Sequence, residues 1–373
     1  MVTNSQKKLF TPVQLGAVTL KHRIVLPALS RLRAHWPNGI PSDLMLEYYS
    51  QRASDGGLII TESTAISSEA RAYHMAPGIW SDEQVMAWKR ITDAVHAKGA
   101  VMFVQLGHAG RATSEVLSGI QPVSASFDPT FTENPNIVVT MPEGLVPPSP
   151  HRALETAEIP KIIEQYKIAA ENALRAGFDG VEIFSAQGHL VEQFLQNGSN
   201  KRTDRYGGSV ENRVRFLLEI VETVAGVVSR DRVGVRISPS STFNGMSDTD
   251  PQALFGNVAE RLNQFGVAYL HIIEPRISGA DTIAEGQDVI AAKDLGRVFQ
   301  GTIIAAGGFT PESAEESVAD GVADLVAFGR YFTSNPDLPF RIERDLPFTP
   351  YDRNTFYGGG AEGYVDFPEY HAG

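Results

Sequence analysis

In EIFSAQGHLVEQFL (182–195) a run of β-forming residues breaks at Gly188 and restarts as a helix, which leaves His189 just past the break. An imidazole at such a junction can give or accept a proton near neutrality; it can also simply bond a backbone carbonyl at the helix start. Two other runs, AAGGF (305–309) and FGR (328–330), put Gly307, Gly308, Gly329 and Arg330 where apolar segments end. Backbone N–H groups in glycine loops, with an arginine beside them, suit a phosphate dianion. Either loop alone would read as a tight turn, whereas the two together with Arg330 favour phosphate. Arg236 closes a strand in GVRISP and Gln105 closes one in FVQLGHAGR. Such a pair could hold the carbonyl and nitrogens of a polar ring. A buried arginine paired with a carboxylate, beside a core glutamine, reads equally well. Ser30 and Ser63 stand at two further strand ends.

Several motifs lead nowhere. GGGAEG (358–363) has the dinucleotide spacing G-x-G-x-x-G, but only about ten residues follow it, too few for a βα unit. There is no HExxH, EF-hand or Walker A pattern, the histidines show no metal spacing, and the absence of cysteine excludes thiolate chemistry. No metal site is expected. His108 reads as structural, and His271, inside a strand, carries no signal.

The elements that must position these groups are regular. Strands are expected at 23–29, 57–64, 100–106, 178–184, 232–238, 267–273, 301–307 and 323–329, with helices between them such as 81–99, 211–228 and 251–266. Eight strand–helix units point to an α/β fold, a (β/α)8 TIM barrel, ahead of a doubly wound open sheet. In a barrel, chemistry sits where strands end and loops begin, and that is where the residues above lie. Residues 107–157, rich in Pro, Ser, Thr and Gly, form a long insertion after the third strand, expected to be a lid or pocket wall. Residues 197–210 are a second polar excursion. With no internal repeat, residues 1–373 read as one domain.

The 373 residues are 42% hydrophobic, with a net charge of −12 and pI near 5.3, which argues against nucleic acid or an anionic membrane as partner. No secretory signal and no span of about 20 apolar residues is seen. The expectation is a soluble cytoplasmic protein, monomer or homodimer, acting on a small-molecule substrate.

Collinear segments carry a resemblance that runs from about residue 8 to about 367. LFTPVQLGAVTLKHRIV, PSDLMLEYYSQRAS, MAPGIW, SNKRTDRYGGSVENR, AFGR and FYGGGAEGY are similar to the old yellow enzyme family of FMN-dependent ene-reductases, in particular the N-ethylmaleimide and pentaerythritol tetranitrate reductase branch. The resemblance implies FMN with its phosphate on Gly307, Gly308, Gly329 and Arg330, its ring against Gln105 and Arg236, and Ser30 in place of a threonine that donates to the flavin O4. Ala28 replaces the family's proline, and Tyr73 matches an aromatic of the substrate cavity. The implied reaction is reduction of FMN by NADPH or NADH, then hydride from N5 to the β-carbon of an α,β-unsaturated carbonyl compound.

Two donors and a tyrosine normally follow one another in the fourth strand. Here Phe184, Gln187 and His189 occupy those positions, so one anchor is lost, Gln187 can still grip a carbonyl, and His189 is the expected proton donor. Gly107 replaces a tryptophan, which implies a roomier cavity. The same changes admit a biosynthetic alternative, desaturation or redox-neutral isomerisation, and, least supported, a non-catalytic flavoprotein.

Overall fold

The computed structural model describes residues 7–279, 281–282 and 289–370. Eight parallel strands close on themselves: β1 (Ile24–Leu26), β2 (Leu58–Ile60), β3 (Val101–Gly107), β4 (Gly180–Ser185), β5 (Val233–Ile237), β6 (Tyr269–Ile273), β7 (Thr302–Ala306) and β8 (Leu325–Ala327). Each lies within or close to the segment expected from sequence. Closure comes from β8 pairing with β1, Ala327 opposite Val25, while β3 pairs with β4, Gln105 opposite Glu182. The helices between them are α1 (Asp43–Arg52), α2 (Asp82–His96), α3 (Ile159–Arg175), α4 (Val210–Val228), α5 (Pro251–Asn263), α6 (Ala292–Leu295) and α7 (Pro311–Ala319), with α8 (Leu338–Glu343) after β8.

The helix starts are chemically marked. Ser81 and Gln84 form a capping box on α2, and Asp250 caps α5, whose first residue is Pro251. Among the described residues no helix is long and apolar enough to cross a membrane.

Alternation along the strands divides the core. Outward residues such as Val104, Val181, Val235 and Leu270 pack beneath the helices. Inward residues fill the barrel, and the antiparallel hairpin of Val13–Leu15 and Val18–Leu20 plugs its N-terminal end with Leu15 and Leu20. Two glycines make room inside. A Cβ on Gly180 would lie 2.4 Å from the Phe103 ring, and one on Gly234 would lie 2.1 Å from the Tyr269 ring. Those rings close the lower barrel, so polar side chains find space only above them, toward the C-terminal ends of the strands.

The insertion at 107–157 has structure of its own. It contains an antiparallel hairpin, Val139–Met141 with Gly144–Val146, and returns at Arg152–Ala153, which pairs in parallel with Val123–Ser124.

The glycine-rich C-terminal stretch docks on buried arginines. Arg31 donates to the carbonyls of Phe356 (2.8 Å) and Gly363 (2.9 Å), and Arg33 to that of Thr355 (3.0 Å). Gly363, at φ +65°, permits the turn.

Candidate active site

A cavity of about 600 Å³ opens over the C-terminal ends of the strands. One end is built from glycine loops. Gly307 (φ +125°) and Gly308 (φ +67°) follow β7, and Gly329 opens the short helix Gly329–Ser334 after β8. A Cβ at Gly307 would strike Ile277 at 2.5 Å, so the chain needs glycine there for space as well as for its dihedral angle. Arg330 donates to Thr282 Oγ1 at 2.7 Å. A second arginine, not singled out from the sequence, lies alongside: Arg276 donates from Nε to the Gly307 carbonyl at 2.7 Å, and its guanidinium lies 4.6 Å from the Phe309 ring centroid. Its position three residues past the end of β6 was the signal available. All four predicted phosphate residues and Arg276 border the one cavity.

Toward the barrel axis the cavity floor turns polar. Ala28, Ser30, Ser63, Gln105 and Arg236 all line it. Arg236 donates to the Ala28 carbonyl at 3.0 Å, and its Nε has no partner among the described residues. Gln105 donates to Glu182 Oε1 at 2.6 Å, and the His271 Nδ1 lies 2.7 Å from Glu182 Oε2. Gln105 thus bonds a buried carboxylate while bordering the cavity, whereas Arg236 borders the cavity and makes no ion pair with Glu182, feeling only its attraction. Burial alone would push the Glu182 carboxyl up, but His271, Arg236 and Gln105 together hold it below its ordinary value. Burial lowers the His271 ring and the Arg236 guanidinium, against the attraction of Glu182.

The third region is apolar and carried by loops. Phe184 at the end of β4 clusters with Ala186, Ile273 and Ile277. Tyr73, Phe243, Tyr357 and three residues of the insertion hairpin region, Val138, Thr140 and Leu145, also border the cavity. Burial pushes the Tyr73 phenol up to about 12.

Gln187 brings an amide to this wall. It is left-handed (φ +52°), a conformation uncommon for a residue with a side chain. Its N–H donates to Ser238 Oγ (2.8 Å), its carbonyl accepts from Asn244 Nδ2 (3.0 Å), and Ser238 in turn donates to Glu192 Oε1 (2.8 Å). Glu192 also accepts the Gly188 N–H, at 2.5 Å. Burial raises this carboxyl to about 8.

His189 and Gly107 are placed differently from expectation: neither borders the cavity. His189 is buried with its ring 4.4 Å from that of Phe184, which faces the cavity in front of it. Burial lowers it to about 4, so it is neutral at pH 7, with Nδ1 lacking a partner among the described residues. The space at Gly107 is not open either. A Cβ there would lie 2.4 Å from Ser63 Oγ and 3.6 Å from Phe184 Cδ1, so neighbouring side chains have closed over the glycine.

The residues present fit FMN. Two arginines and left-handed glycines meet at one end, a buried amide and an arginine with an unpartnered Nε at the other, and the volume between them suits a flavin mononucleotide. Fold and site together define an FMN-dependent NAD(P)H oxidoreductase on a TIM barrel. The comparison with family models agrees: residues 8–348 match the NADH:flavin oxidoreductase / NADH oxidase family, and the chain belongs to that family, the old yellow enzymes.

The chain is 43% identical to a putative 12-oxophytodienoate reductase 11 of Oryza sativa subsp. japonica, covering 98% of each chain. It is also 43% identical to 12-oxophytodienoate reductase 2 of Arabidopsis thaliana, covering 96% of this chain and 95% of the relative. Morphinone reductase in complex with tetrahydroNAD superposes with a TM-score of 0.89 at 43% identity, over 97% of this chain and 98% of that one. The old yellow enzyme homologue from Zymomonas mobilis gives 0.90 at 39% identity, over 96% and 99%.

Proposed function

We propose that this protein uses a nicotinamide to reduce the C=C bond of α,β-unsaturated carbonyl compounds, with a substrate scope altered by a cavity wall that holds the carbonyl through one side chain, Gln187. The observation that carries this reading is the left-handed Gln187 bordering the cavity, fixed at both its N–H and its carbonyl. Relatives named as reductases of 12-oxophytodienoate and morphinone support it. Bound FMN supplies the hydride to the β-carbon.

The amide N–H of Gln187 then polarises the alkene by donating to the carbonyl oxygen, while Phe184 offers only apolar contact. The α-carbon needs a proton from a group bordering the cavity. Tyr73 meets that condition, its phenol kept protonated by burial, whereas His189 sits behind Phe184. The desaturase or isomerase reading loses its two motives, since no base at 189 faces the site and the space at Gly107 is filled.

The test is anaerobic. The purified flavoprotein, bleached by NADH or NADPH, is mixed with a panel of enones, enals and maleimides. Return of the oxidised spectrum is expected with some of them; failure with every compound rejects the proposal. Tyr73→Phe should slow this oxidative half-reaction and His189→Phe should leave it nearly unchanged, and the opposite pattern would return the proton to His189.

A further inference from the structure

Glu182 is fully buried at the centre of the barrel, has no contact with solvent, and does not border the cavity. It nevertheless bonds Gln105 of the cavity floor and attracts Arg236. Gln105 donates to one carboxylate oxygen at 2.6 Å, and the other lies 2.7 Å from His271 Nδ1. Strand register makes the arrangement compulsory. Glu182 on β4 stands opposite Gln105 on β3, while Arg236 on β5 stands opposite His271 on β6, so the four side chains face inward from four adjacent strands.

A buried carboxylate in this position is expensive to desolvate, and a packed apolar residue would serve stability as well. Its presence needs another account. With His271 neutral, Arg236 is the only full positive charge of the group and Glu182 its only negative one.

We propose that Glu182 is a positioning residue for the flavin: it locks the Gln105 amide with its N–H turned down, leaving the amide oxygen for the ring, and its negative charge tempers the field of Arg236 on the FMN pyrimidine. This rests on FMN lying against Gln105 and Arg236. The orientation argument is one of valence. A carboxylate only accepts, so the Gln105 group facing it must be the NH2, and the acceptor oxygen must point elsewhere. The charge argument follows from low local dielectric, where the attraction between the buried Glu182 carboxylate and Arg236 is weakly screened.

Glu182→Gln tests the charge with little change of shape. The new amide can accept from Gln105 and donate to His271, whose proton moves to Nε2. Removing the negative charge leaves Arg236 uncompensated, which favours the electron-rich reduced flavin. The ratio of reduced to oxidised FMN at a fixed potential, measured in the purified holoenzyme against a reference dye, should rise about tenfold or more, equivalent to about 30 mV for a two-electron couple. An unchanged ratio overturns the proposal.

Glu182→Asp keeps the charge but withdraws it by one methylene from both partners. It should release FMN several-fold faster, followed by flavin fluorescence, with the redox ratio held within about twofold. If the Gln variant does not fold, the Asp variant decides: a large redox change with unaltered FMN release refutes the assignment. Gln105→Leu and Arg236→Lys separate this from the placement of FMN. If neither alters FMN release or the visible spectrum, the flavin does not lie on them and the premise fails. If both do while Glu182→Gln leaves the ratio of reduced to oxidised FMN unchanged, the premise stands and the role of Glu182 falls.

Discussion

Two regions of the cavity are built by different means. The flavin floor comes from strands, where Gln105, Glu182, Arg236 and His271 face one another because four parallel strands pair in fixed register. The substrate wall comes from the loops beyond them: the left-handed turn at Gln187, the insertion residues Val138, Thr140 and Leu145, and the C-terminal Tyr357. A strand residue cannot move without shifting its neighbours, whereas a loop residue can be exchanged and its space filled by whatever adjoins it. Phe184 lies at the border, in a strand but at its last turn inward, and it has closed over His189 and Gly107. The difference explains how a chain can keep the polar set expected for FMN while all three side chains of the substrate-anchoring pattern change.

Substitutions can break this contrast, and the floor should suffer most. Arg236→Met removes a cation whose attraction helps keep the buried Glu182 ionised, and should cost about 1–3 kcal/mol. Denaturant unfolding of the apoprotein should show that loss, and a loss below about 1 kcal/mol would mean that the floor is not an electrostatic unit. In the wall, Gln187→Ala should leave FMN binding and stability nearly unchanged but slow alkene reduction by about 10²–10³-fold, since it removes the side-chain donor proposed for the carbonyl. Stopped-flow reoxidation at saturating alkene measures it, and a change under threefold would remove Gln187 from the mechanism.

The support beneath the wall should respond to pH. Burial raises Glu192 from 4.5 to about 8, so between those values the native protein holds a proton that the unfolded chain has released. Stability contributed there falls as pH rises through that window. Glu192→Gln abolishes this dependence, so the variant should gain on the parent by about 2–4 kcal/mol between pH 5 and pH 8.5. Parallel stability curves for the two proteins would show that Glu192 does not titrate there.

Smaller effects sharpen the contrast further. Gly308→Ala places a side chain at φ +67° and 2.9 Å from Arg276 Nε, and should cost about 1–2 kcal/mol, with faster FMN release. Equal FMN release in parent and variant would dissociate that loop from the cofactor. His189→Phe should be the mildest of all in activity, within about twofold, because the imidazole does not border the cavity.

Much of this was legible in the sequence. The eight strands could be read from β-rich runs between glycines, and the helix starts from Ser81, Asp250–Pro251 and Thr310–Pro311. The glycine loop after β7 was visible because a positive-φ backbone demands glycine, a residue type that marks itself. Glu182, His271 and Arg276 were not visible. A glutamate or histidine within an apolar strand gives no local sign of which neighbour it will meet, and Arg276 depends on how a loop turns back across β7.

His189 illustrates the converse. Its residue type and its place after Gly188 suggested chemistry, yet the Phe184 ring decides whether it reaches the site, and the relation between residues five apart across a strand–helix junction depends on the turn between them. The sequence by itself determined the barrel, the glycine loops and the inward-facing polar strand residues, because those follow from local periodicity and from glycine's backbone freedom. Only the tertiary structure decided which of those polar groups share a carboxylate, which face the cavity and which are covered, because side-chain contacts across strands and loops arise from packing, which no local pattern encodes.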